Sequence, residues 1–161
     1  MTEPEPTADD LIEAILRDRP VYSAQEVVCR AGATQEQAQR LWRALGFAED
    51  AGGQSGYTAS DAQALQTVIE GAADGPLDFD TTVALTRALG HTMARLADWQ
   101  VATLVGLEEF AKPGEGETSR LRTAVQLIND VERPFEALMI YAWRRHLAAA
   151  VARVEALGAM E

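Results

Sequence analysis

The stretch from Asp80 to Phe110, DTTVALTRALGHTMARLADWQVATLVGLEEF, constrains the fold more than any other part of the chain. Leu85, Leu89, Met93 and Leu96 recur at helical steps, and Val101, Leu104, Val105, Leu107 and Phe110 carry the apolar surface onward. A helix with such a pattern must be covered on more than one side. Asp80 is placed to cap it, its carboxylate accepting from the free amides of the first turn. At 1.5 Å per residue this helix would run for about 45 Å, longer than a compact domain of this size requires. It is expected to act as a spine between flanking helices or as part of a dimer interface, with Gly90 allowing a bend.

The remaining segments read as helices too. Leu11, Ile12, Ile15 and Leu16 form one side of a short amphipathic helix ended by Arg19-Pro20, where the proline ring disfavours a helical residue before it. Ser23 with Glu26, and Thr34 with Gln37, are two capping boxes separated by Gly32, a residue able to take the left-handed turn. They predict a helix-turn-helix with Val27, Val28, Leu41 and Leu45 turned inward, and Cys29 as a buried small hydrophobe. Residues 48–57 are glycine-rich and read as a turn or small wing. Ser60 with Gln63 would open the next helix, burying Ala64, Leu65, Val68 and Ile69. Lys112-Pro113-Gly114 begins a loop, Thr118 or Ser119 can cap a helix bearing Leu121, Val125 and Ile128, and Pro134 fits the first turn of a final helix reaching about Leu157. No segment alternates as a strand. The expected fold is all-α: an N-terminal helix-turn-helix packed on a long central helix, with a long C-terminal helix. Residues 1–8 are expected to be a disordered tail, 9–75 a helix-turn-helix-like subdomain, and 76–161 a long-helix subdomain for dimerisation and ligand binding.

Composition narrows the function. With 161 residues and 47% hydrophobic content the chain can bury a real core. No apolar run is long enough to span a membrane, the N-terminus is acidic where a signal peptide is basic, and the single cysteine suits a reducing compartment, so a cytoplasmic location is expected. A net charge of −11 opposes binding to nucleic acid. There is no glycine-rich phosphate loop, no His or Cys cluster at metal-ligand spacing, and no nucleophile elbow, so neither catalytic residues, metal nor cofactor is expected in this stretch.

Two resemblances follow from these motifs. VYSAQEVVCRAGATQEQAQRLWRALGFAED followed by GYTASDAQAL resembles, in layout, the DNA-binding end of MerR-type regulators, which gives an alternative reading as a DNA-binding transcriptional regulator. The would-be recognition helix, however, exposes Gln35, Glu36, Gln37 and Gln39 with only Arg40 and Arg43 basic, and the glycine-rich turn adds Glu49 and Asp50. The order of elements from Val21 to about Ala156 is similar to the N-terminal regulatory domain of actinobacterial class III adenylate cyclases of the acid-sensing, autoinhibited branch. RALGHTMARLADWQVATLVGLEE at 87–109 carries most of that likeness, with Met139, Tyr141, Arg145, His146 and Leu147 near the end. The resemblance implies a homodimeric helical domain that biases a cyclase catalytic domain in the same polypeptide, responds to pH and accommodates a fatty acid or similar lipid.

Individual residues fit those roles to different degrees. His91 and His146 are the only side chains whose ordinary pKa lies near neutrality. His146 follows Arg144 and Arg145, whose charges oppose its protonation, and shares a face with Phe135, Met139 and Ala142, which could bury it. Met93, Leu96, Trp99, Met139, Tyr141 and Trp143 could line a lipid channel, with Arg144 among the cations available for a carboxylate head; Met and Trp at helical spacing are more often plain core. Leu147, Val151 and Val154 form a seam suited to contact with a second copy.

Overall fold

The computed structural model describes residues 7–47, 56–105 and 117–158, and every regular element among them is a helix: α1 (Ala8–Leu16), α2 (Ala24–Arg30), α3 (Gln35–Leu45), α4 (Ala59–Asp74), α5 (Phe79–Val105) and α6 (Glu117–Gly158). The all-α expectation holds. The helices group into two compact units, Leu16–Glu115 and, separately, Met1–Ile15 with Gly116–Glu161.

In the first of these, local chemistry sets the helix starts. The Ser23 hydroxyl accepts from the Glu26 amide at 3.3 Å while the Glu26 carboxylate accepts from the Ser23 amide at 2.7 Å, a reciprocal box that opens α2. Thr34 and Gln37 repeat it for α3. Between them Gly32 takes φ +63°, and Gly46 at φ +84° closes α3. Val27, Ala38, Leu41, Trp42, Ala62 and Leu65 are buried together, and the alanines among them let α2, α3 and α4 approach closely. Tyr22 and Tyr57 exchange backbone hydrogen bonds of 2.9 and 3.0 Å, a single antiparallel bridge that ties the entry of α2 to the entry of α4. The Tyr57 ring stacks on Trp42 at 4.7 Å between centroids, and Arg30 lies over the Tyr22 ring.

Several expected details change. α4 is capped by Thr58 with Asp61, two residues before the Ser60 and Gln63 pair. Ser60 instead donates its amide and hydroxyl to Asp18, both at 3.1 Å. The inward face of α4 is Ala62 and Leu65, with the expected Val68 and Ile69 half-buried against the same core and Ala64 exposed. Cys29 is exposed, not buried. α5 starts at Phe79 under an Asp78 cap, whose carboxylate accepts from the Thr81 amide at 2.7 Å, and Asp80 pairs with Arg40 of α3 instead.

α5 packs chiefly on α3 and also on α4, and runs unbroken through Gly90. Gly90 is buried at the crossing: a Cβ there would sit 2.5 to 2.6 Å from the Leu45 carbonyl and Cα. Its lack of a side chain serves close approach of two backbones.

The other unit contains most of α1, together with α6. Thr7 caps α1 by exchanging hydrogen bonds with Asp10. The helix ends at Leu16, earlier than Pro20 alone would dictate, because Arg17 turns to φ +50°. α6 is one helix of 42 residues with Pro134 in its interior, where a break and a fresh start were expected. A proline removes one hydrogen bond and crowds the preceding turn; the flanking segments are both long enough to continue across it. The tail at residues 1–6, the glycine-rich turn at 48–55 and the loop beginning at 112 lie outside the described residues, as do Leu107 and Phe110.

Candidate functional site

α5 presents two different faces. Phe79, Val83 and Gly90 turn toward α3 and α4, with Val83 buried. Turned by roughly 120° about the axis are Leu85, Leu89, Leu96 and Trp99. Leu85, Leu89, Met93 and Trp99 are exposed, Trp99 by 64%, and Leu96 is half-buried. Two of the predicted ligand residues, Leu96 and Trp99, therefore share one accessible apolar stripe, with Met93 at its edge.

The polar groups along this stripe are threonines, which sequence reasoning passed over. The Thr82, Thr92 and Thr103 hydroxyls donate to the carbonyls of Asp78, Ala88 and Trp99, at 2.8 to 2.9 Å. Each hydroxyl is satisfied within its own helix, so the residue adds a methyl to the surface with no donor left over. Spacing alone could have found them, since they fall at the positions the leucines leave open.

The other predicted ligand residues lie on α6 in the second unit. Tyr141 and Trp143 are each 61% exposed, Arg144 is exposed and Met139 is half-buried. Ile140, Trp143, Leu147, Val151 and Val154 form an exposed seam along the second half of α6, and Leu147, Val151 and Val154 are the residues expected there. His146 is exposed, so the burial expected from Phe135, Met139 and Ala142 is not found; these three are only half-buried themselves. His91 is exposed on α5, on neither of its two apolar faces.

Elsewhere Ala24, Gln35, Gln39, Trp42 and Tyr57 line a shallow pocket of about 50 Å³. This is room for a few waters and too little for an acyl chain. The lowered carboxylates of this unit belong to capping interactions. The Asp18 carboxyl is held below its ordinary value by the Ser60 amide and then the Arg19 amide, Glu26 by the Ser23 amide and hydroxyl, and Asp78 by the Thr81 amide. These are helix starts being satisfied. Among the described residues no cluster of three or more His, Cys, Asp or Glu side chains could hold a metal, and no helix is long and apolar enough to cross a membrane.

No protein-family model matches the chain. Curated relatives do. An adenylate cyclase of Streptomyces coelicolor is 36% identical over 151 residues, covering 93% of this chain and 39% of the relative. One of Streptomyces griseus is 34% identical over 155 residues, covering 93% and 38%. One of Glutamicibacter nicotianae is 29% identical over 148 residues, covering 92% and 36%. The chain thus spans well under half the length of these relatives.

Proposed function

We propose that this chain is a regulatory, non-catalytic segment of a class III adenylate cyclase, which biases a dimeric catalytic domain carried by the same polypeptide. The observation that carries the reading is the likeness to three adenylate cyclases along nearly all of this chain, but over little more than a third of each relative. The exposed apolar surfaces of α5 and the end of α6 support it, because a segment that communicates with a neighbour needs surface to do so. In this reading a homodimer forms through those surfaces, and a fatty-acid-like ligand lies along Met139, Tyr141 and Trp143 of α6, its carboxylate answered by Arg144. His146 and secondarily His91 supply the pH response: each is exposed in the single chain, so its protonation matters where a second surface covers it.

The test joins this chain to the region of the Streptomyces griseus relative that it does not match, and measures cyclic AMP formation from ATP between about pH 5 and 8. The expected result is a rate and pH profile different from those of that region alone. Identical profiles would overturn the regulatory reading. Mass spectrometry of organic extracts of the purified chain tests the lipid, and finding none removes that part.

A further inference from the structure

We infer that the exposed stripe of α5 is a self-complementary surface that pairs, antiparallel, with α5 of a second copy about an axis at Thr92. The inference rests on the dimeric reading above and adds the surface and its direction. Thr82, Leu85, Leu89, Thr92, Leu96, Trp99 and Thr103 follow one another at alternating steps of three and four, the spacing that keeps one seam of a helix turned toward a partner.

Three observations select a copy of the same helix. First, the seam reads nearly the same in both directions from Thr92: leucines at Leu89 and Leu96, large apolar groups at Leu85 and Trp99, threonines at Thr82 and Thr103. An isologous contact requires such symmetry, since each patch must fit itself. Second, the threonine hydroxyls on the seam are already bonded to their own helix, so a dry contact would strand none of them. Third, the flanks match. Antiparallel pairing sets Arg95 beside Ala88 of the copy and leaves Met93 near the axis, so no like charges meet; His91 and Asp98 lie on the far side of the helix. A parallel arrangement would stack Trp99 on its own counterpart and align the helix dipoles, whereas the antiparallel one sets Trp99 against Leu85 and opposes the dipoles.

The test uses the full chain in a Cys29→Ser background, with light scattering for mass and a short bis-maleimide for proximity. Thr92→Cys should cross-link to itself. Thr82→Cys mixed with Thr103→Cys should cross-link to each other, and neither to itself, the like positions lying about 30 Å apart along the pair. Leu89→Glu should convert the dimer to monomer with an unchanged far-ultraviolet circular dichroism spectrum. Self-cross-linking of Thr82→Cys would mean parallel pairing and overturn the inference. A dimer in which none of these α5 cross-links forms, or one that survives Leu89→Glu, would assign the contact to another surface such as α6; the inference then fails while the dimeric reading stands. A monomeric parent chain would overturn both.

Discussion

Single residues decide where these helices begin and how closely they meet. Two candidate caps two residues apart, Thr58 and Ser60, are locally equivalent, and so are Asp78 and Asp80. In each pair one member is withdrawn by a partner far away in sequence: Asp18 takes Ser60, and Arg40 takes Asp80. The capping boxes at Ser23 and Thr34 face no such competition, which is why they were legible from four residues each. Gly90 was legible as a special position while its close crossing with Leu45 was not, because a bend and a close crossing ask the same thing of one residue. Gly90→Ala should destabilise the fold by roughly 1–3 kcal/mol or more in urea denaturation. Gly71→Ala, facing open space within α4, should be neutral or stabilise by about 0.4–1 kcal/mol. Equal effects would contradict the Leu45 contact. The lowered carboxyls of Asp18, Glu26 and Asp78 predict an acid branch of stability. A carboxyl whose folded value is depressed contributes stability that is fully present above its ordinary value near about 4 and is lost as pH falls through the lowered one. Thermal midpoints should therefore drop below that point, and the Asp18→Asn, Glu26→Gln, Asp78→Asn combination should start lower at neutral pH and drop less. An unchanged slope would show that these caps do not govern it.

At the scale of elements, α5 shows why apolar periodicity finds a helix more easily than it assigns its neighbours. Val83 and Leu85 are two residues apart and equally apolar in sequence, yet one is buried against α3 and α4 and the other exposed. Only the position of α3, fixed by Leu41 and Trp42 in a core built from distant segments, separates them. Leu41→Ala should accordingly cost about 2–5 kcal/mol, while Leu85→Ala should change monomer stability by no more than about 0.5 kcal/mol. Chemical denaturation below the concentration of self-association distinguishes the two. α6 was misread for a related reason: proline at a first turn and proline inside a long helix leave the same mark in a sequence, and the continuous backbone on either side decides which applies.

For the molecule as a whole, the expected class of fold followed from spacing and caps, whereas the candidate ligand residues were chosen by type and fall into two units, Met93, Leu96 and Trp99 in one and Met139, Tyr141, Trp143 and Arg144 in the other. If His146 carries the pH response, His146→Ala in the fused cyclase should flatten its activity profile between about pH 5 and 8 and leave the rate at the alkaline end unchanged. A profile that keeps its shape would discard that role. The three tryptophans offer a way to follow such changes without a label. Trp42 is enclosed and stacked on Tyr57, Trp99 stands out from one unit and Trp143 from the other. Paired Trp→Phe replacements would leave one emitter at a time: a shielded, blue-emitting reporter of the core, and two quencher-accessible reporters, each announcing by a blue shift when its own helix becomes covered.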